Sequence, residues 1–315
     1  MAAAVESMFY VKETPWHGLG TNLDEAPTIS EAIAAAGLDW EVGLKDLVTV
    51  DGIPVPSRAT YRKSDDSILG VVGPRYSPLQ NADAFSWFQP FVDSKECSLN
   101  TAGSLHSGQK VWVLAKLNRD NTEIVKGDEI SKFILLSNSH DGTTSIRVGY
   151  TPIRVVCANT MAMAHSHKGS QLIRIRHTRS SKTNLDNVRD IMNNINAEFE
   201  ATAEQFKFLA SKDFNAKDLN KYVKIMLGVE GTLDADMKTR TKNIFEDILA
   251  LVHGPKQSIT GVSGTWWAAY NGFNEYLNYN KGRTNDNRLD SLWFGLNAND
   301  NLKALKVATE FATSV

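Results

Sequence analysis

Cysteine is nearly missing from this chain. Cys97 and Cys157 are the only two in 315 residues, too few for a disulfide framework and not in the CxxC spacing of a metal pair. That usage reads as cytosolic. No apolar run approaches the ~20 residues that a bilayer-spanning helix needs. The opening MAAAVESMFYVKE has neither a basic n-region nor an apolar h-region, so neither secretion nor a membrane partner is expected. The GxxxxGKS/T loop and the GxSxG elbow are both absent, and Gly18-Leu19-Gly20 is too short for a dinucleotide fingerprint. No cofactor is expected, and work on a ligand would run on binding energy alone.

Acid is missing as well, but only locally. Between Asp141 and Asp186 there is no Asp or Glu, while Arg147, Arg154, Lys168, Arg174, Arg176, Arg179 and Lys182 all fall there. The whole chain is formally -2, so this window of +7 leaves -9 for the remainder. A one-signed local field flanked by acidic sequence favours a polyanion such as nucleic acid. A solvated basic face is the plainer reading of the same run.

What is present divides into an α+β part, residues 1–183, and a helical part, residues 184–315. Thr28 as N-cap with Glu31 three residues on forms a capping box, and Gly37 stops the short helix between them. Ala59–Arg62 and Ile68–Val72 flank a polar turn as a hairpin. Asn81 caps a helix bearing Phe85, Trp87 and Phe88, with Pro90 near its end. Val111–Leu117 alternates, with Val111, Val113 and Ala115 on one face, and Phe133–Leu136 is a further strand. Ser145–Tyr150 reads as a strand and Thr151-Pro152 as a helix start, with Ile153, Val156 and Met161 at helical spacing.

Leu172–His177 then alternates again. Ile173 and Ile175 point inward, and Arg174 and Arg176 share the outer face about 7 Å apart, near one step of an extended nucleotide backbone. Beyond it, Leu185 to Leu209 reads as one long amphipathic helix. Helices capped by Asn215 and Asp234 follow, then an aromatic helix around Trp266, Trp267 and Tyr270 and a final helix over Leu302–Ala312. There is no internal repeat and no low-complexity segment. The fold class expected is α+β: a small, mainly antiparallel sheet with packed helices, then a helical C-terminal region.

Each chemical candidate has a dull competitor. His140, His165, His167 and His177 suggest metal chemistry, yet a zinc or two-metal site needs convergent carboxylates or thiolates, and three of the four lie in the acid-free window. No catalytic residue and no metal ligand is expected; a metal-dependent nuclease is the minor alternative. Cys157 sits at an apolar helical position, where a buried structural thiol outweighs a nucleophile. Trp112 and Tyr150 are the aromatics chosen as base-stacking candidates, with Tyr61 and Phe133 behind them. Trp112 stands out because Val111 and Val113 claim the opposite face. The Trp266–Phe273 cluster, without basic flanks, reads as a helix–helix or subunit contact.

Four segments carry a resemblance: Pro15–Thr21 (PWHGLGT), Pro152–Thr160 (PIRVVCANT), Thr265-Trp266 through Leu277, and Ser291–Gly295 (SLWFG). In that order they resemble the phage/plasmid-like family catalogued as a domain of unknown function. The resemblance implies a phage, prophage or plasmid origin and a bacterial host cytoplasm, and no established activity. The architecture is also similar, at the level of fold only, to phage single-strand annealing proteins of the Red-beta, RecT and Erf kinds, which form rings or filaments and pair strands without ATP. No motif matches theirs, so no site is carried over. The expected function is ATP-independent binding and annealing of single-stranded DNA by a homo-oligomer. The seven basic residues would contact phosphates and Tyr150 and Trp112 would contact bases. The alternative is a non-enzymatic protein that docks an acidic protein partner on the same basic surface.

Overall fold

The alternating and apolar runs of the sequence become strands, and the capped periodic runs become helices. The computed structural model describes residues 5–12, 20–154, 159–160, 173–187, 192–282, 291–292 and 295–314. The chain runs β1 (Val5–Val11), β2 (Thr21–Leu23), α1 (Ile29–Ala35), β3 (Val42–Val48), β4 (Pro54–Arg62), β5 (Ile68–Val72), α2 (Asn81–Ser86) and α3 (Gln89–Asp93). It continues with β6 (Cys97–Leu105), β7 (Lys110–Leu117), β8 (Thr122–Val125), β9 (Asp128–Ser139), β10 (Ile146–Arg154), β11 (Asn159–Thr160) and β12 (Ile173–Ile175). The helices α4 (Ser181–Asn187), α5 (Met192–Ala210), α6 (Ala216–Leu227), α7 (Thr239–Val252), α8 (Trp266–Glu275) and α9 (Leu296–Thr313) complete it. The class is α+β with a helical C-terminal region. The sheets are mainly antiparallel, β1–β2 being a parallel pair.

Two compact units interleave in sequence. The first holds Met1–Arg119, Phe133–Tyr150 and Gln171–Ile195; the second holds Asp120–Lys132, Thr151–Ser170 and Asn196–Val315. In the first, β9, β7, β6 and β1 pair antiparallel in that order, and β12 pairs with β10. A separate sheet has the order β3-β4-β5. Pro56 sits in β4, where the pairing jumps from Asp46↔Arg58 to Leu47↔Val55. A proline is tolerated in such a bulge because no ladder hydrogen bond requires its missing N–H. The core gathers Phe9, Ala32, Phe85, Trp87, Val113 and Ile134, all at most 1% exposed.

The second unit is built on helices. Asn215 caps α6 through Asp218 N, and Gly228 ends it in the left-handed region (φ 69°). Leu219, Tyr222, Val223 and Met226 form its buried face. Helix α8 is buried from Trp266 through Glu275, and a π-helical turn, Tyr276–Asn280, extends it.

The capping box at Thr28–Glu31 forms as expected, and Gly37 takes φ 62° beyond the end of α1. The hairpin across residues 63–67 forms too. Other elements differ. Thr151-Pro152 lies inside β10, not at a helix start. β10 pairs with β12 at residues 146–148 and with β11 at 153–154. Pro152 therefore falls where that edge needs no donor. The rest of the expected helix, with Val156 and Met161, lies outside the described residues.

Asn81 is the first residue of α2 rather than its cap, and its side chain donates to Leu38 O and Trp40 O instead. Pro90 is the second residue of α3, in the first turn, where its missing N–H costs no intrahelical bond. The long helix from Leu185 appears as α4 and α5, and residues 188–191 between them lie outside the described residues. Asp234 starts a 3-10 turn; α7 begins at Thr239.

Candidate nucleic-acid interface

The acid-free window divides once its residues are placed. Strand β12 pairs antiparallel with β10, setting Ile175 against Ile146, Arg174 against Arg147 and Ile173 against Val148. Ile175 is buried and Ile173 half-buried, while Arg174 and, just past the strand, Arg176 are exposed. The period of two therefore does what the sequence requires. Arg179 is exposed in the turn before α4. Among the described residues none of these three guanidinium groups meets a carboxylate. Arg147, the cross-strand neighbour of Arg174, is half-buried and already engaged within the protein.

What fixes this arginine strip is His177. Its backbone oxygen accepts from Ser77 N at 3.1 Å, its ring stacks on Tyr76 (centroids 4.7 Å, 26°), and its Nε2 lies 3.2 Å from Thr144 O. Tyr76 is itself held, its hydroxyl donating to Ser139 O at 2.7 Å. Burial lowers His177 to a pKa of about 4, the hydrogen bond to Thr144 and the charge of Asp141 acting against it. His140 is lowered further, to about 3, by burial and then by His177, against Asp141. Its Nε2 meets Asn81 Oδ1 at 2.9 Å and its ring lies edge-on to Trp40. Both imidazoles are neutral near pH 7, so neither offers a cation to phosphate.

Several expected site residues take other roles. Arg154 is fully buried: its Nε and Nη2 donate to Asp128 Oδ1 and Oδ2, both at 2.7 Å, and Nη1 donates to Gln257 Oε1 at 2.5 Å. Trp267 Nε1 adds a third donor to Asp128, at 2.7 Å. A bidentate guanidinium–carboxylate pair in a low-dielectric interior has no free donor face for a phosphate. Lys182 is exposed but paired with Asp83 at 2.5 Å, which holds its pKa above the usual lysine value.

Trp112 and Tyr150 are 1% and 4% exposed, so neither is a stacking platform. Strand β7 lies between β6 and β9 and is covered on both faces, which is why Val-Trp-Val-Leu-Ala reads as continuous apolar sequence. Phe133 is buried as well, and Tyr61 lies under Lys45, whose Nζ is 4.0 Å from its ring centroid. The Trp266–Phe273 cluster is internal packing of the helical unit, Trp266 and Trp267 both being fully buried.

Lys168, His165, His167 and Cys157 lie outside the described residues. Among the described residues no group of three or more His, Cys, Asp or Glu side chains could hold a metal ion, and no helix is long and apolar enough to cross a membrane. Sequence reasoning missed the Tyr76–His177 contact. No local signal marks it, because the partners are far apart in sequence and meet only through the fold.

Described residues of two of the segments that carry the family resemblance lie in the buried polar interior of the second unit. Arg154 comes from Pro152–Thr160. Gln257 bridges it to Glu275 of the aromatic segment, which also pairs with Lys256 at 2.8 Å. Asn274 Oδ1 accepts from Asn278 and Asn301, and Tyr270 donates to Asn301 Oδ1. These residues are legible as a motif because the helical unit is built around them.

No curated protein and no solved structure matches the chain at a significant level. A family described as a domain of unknown function, DUF932, matches residues 68–293, from the first residue of β5 to Trp293. The match covers most of the chain and includes the Arg154 and Trp266 segments but not Pro15–Thr21. On that match the chain belongs to the DUF932 family.

Proposed function

We propose that this protein binds the sugar–phosphate backbone of single-stranded nucleic acid, DNA foremost, through Arg174, Arg176 and Arg179. The observation that carries this reading is the outer face of β12. Arg174 stands there with Ile173 and Ile175 turned inward, Arg176 follows just past the strand and Arg179 in the next turn, and no carboxylate is on any of them among the described residues. With Trp112 and Tyr150 buried, contact is to phosphate rather than by stacking, and it is indifferent to sequence. Bases left outward are free to pair with a second strand. Annealing would then need no nucleotide hydrolysis, in keeping with a sequence that has no P-loop. A phage- or plasmid-encoded protein of the bacterial cytoplasm, acting as a homo-oligomer in recombination, is the setting we propose.

Fluorescence anisotropy with a labelled oligothymidine tests the reading. Three phosphate contacts on a single strand predict that log affinity falls against log salt with a slope of about -2. Changing Arg174 and Arg176 together to Ala should bring the slope to about -0.7 and weaken every sequence alike, with an unchanged melting temperature. A flat salt dependence, or full binding by the double variant, removes the proposal. Acceleration of complementary-strand pairing by the intact protein, and not by the double variant, tests the annealing step separately.

A further inference from the structure

The small sheet and its β3–β4 turn carry most of the exposed large apolar side chains of the described residues. Val48, Val50, Ile53, Ile68 and Val71 are between 58% and 111% exposed, and only Leu233 and Leu296 join them from elsewhere. Two of these lie on β5, at one end of the order β3-β4-β5. β5 pairs only with β4, and no backbone hydrogen bond ties residues 68–72 to any other described segment. Its outer row of N–H and C=O groups is therefore open to a further strand.

The register explains how two apolar residues three apart share a face. Ala59 pairs with Val71 and Thr60 with Gly70, then the ladder shifts so that Tyr61 pairs with Ile68. Ala59 and Tyr61 lie on the same side of β4, so Val71 and Ile68 also lie on one side of β5. The other side is taken: a Cβ on Gly70 would come within 2.6 Å of Asp141 Cα. An exposed apolar edge of this kind is what soluble proteins usually blunt.

We infer that β5 is the strand through which two copies of this chain join, antiparallel and about a two-fold axis. Charge selects the occupant. At the N-terminal end of β5 stands Asp66, 73% exposed; its Oδ1 pairs with Lys45 at the surface, its Oδ2 has no partner among the described residues, and Asp65, 3.6 Å from Arg62, lies beside it. At the other end stands Arg75, exposed and without an ion-pair partner among the described residues. Antiparallel pairing of identical strands sets the acidic end of each against the partner's Arg75, twice over, and brings Ile68 and Val71 beside their copies. Such an interface is isologous and closes at two subunits. A polyanion is disfavoured here, since residues 41–72 carry four Lys or Arg against five Asp or Glu.

The inference is independent of the arginine strip on β12 and fails or stands apart from it. Sedimentation velocity of the full chain over a concentration series should show a reversible monomer–dimer equilibrium. Val71→Lys should raise the dissociation constant by a factor on the order of ten or more. An unchanged melting temperature would show that the variant folds, as the exposure of Val71 leads one to expect. Arg75→Glu should weaken the dimer similarly, and Arg75→Glu combined with Asp66→Lys should restore it. Lysine is tolerated at the left-handed backbone of position 66 (φ 60°), as Lys12 and Lys95 already show at φ 63° and 58°. A monomer at all concentrations overturns the inference. So does a dimer that neither Val71→Lys nor the charge exchange alters, which would mean subunits joined elsewhere.

Discussion

Arg154 shows how far one side chain's role depends on partners distant in sequence. Counted along the chain it is one of seven cations in an acid-free window. In the fold it is enclosed by Asp128, 26 residues away, and by Gln257, 103 residues away. Removing one member of a buried ion pair leaves the other charge uncompensated, which typically destabilises by about 3–5 kcal/mol. Arg154→Ala should therefore lower stability by about that amount in urea denaturation, whereas Arg174→Ala should change it by less than ~0.5 kcal/mol. Equal effects of the two would contradict the placement of Arg154. Cys97 needs no distant partner for its role: it is buried, and burial pushes its thiol up to about 12, so it should be inert toward thiol reagents in the folded state.

At the scale of elements, what was legible depended on whether the determining partners are near in sequence. The capping box of α1 needs only Thr28 and Glu31, and it forms, with Thr28 N donating to Glu31 Oε2 at 2.8 Å. The alternation of β12 needs only its own residues, and Ile173, Arg174 and Ile175 take the faces it requires. Strand β7 went differently. Alternation around Trp112 suggested one open face, but Val111 through Ala115 are all buried, so both faces of the strand are covered. The ring of Trp112 packs over Gly103, its register partner on β6, where a Cβ would come within 2.7 Å of Trp112 Cη2 and within 2.4 Å of Ser7 O. Gly103→Ala should therefore destabilise by about 1–3 kcal/mol, measured by thermal unfolding. Gly73→Ala, where nothing lies within 4 Å, should not. Pro152 illustrates the same limit: Thr-Pro is a sound helix start locally, and only the pairing of β10 turns it into strand.

For the whole molecule, the two neutral histidines couple acidity to stability. His140 and His177 have pKa values of about 3 and about 4, below the ordinary value of 6.5. Their contribution is present above pH ~6.5 and is lost as pH falls toward the folded values, each tenfold change in proton affinity between the folded and unfolded chain being worth about 1.4 kcal/mol. Asp141, which burial would raise but Ser139 and Thr143 hold low, loses its contribution only as pH falls below the ordinary carboxylate range. Denaturation midpoints should thus decline between about pH 6.5 and 4, and His177→Asn should flatten that part of the curve. A midpoint that stays level down to about pH 4 in the native protein would falsify this. Since His177 also fixes the turn carrying Arg176, oligonucleotide binding by the folded protein should weaken only as pH approaches about 4, where the folded imidazole itself takes up a proton.

The sequence by itself determined the α+β class, the helical C-terminal region, the short-range caps and turns, and the outward placement of Arg174 and Arg176. Each of these follows from residues within a few positions of one another. Only the tertiary structure decided which cations are spent internally, which aromatics are core, and that β5 stands at an open edge. Burial and pairing are properties of neighbours that the chain brings together from far apart, and no local pattern encodes them.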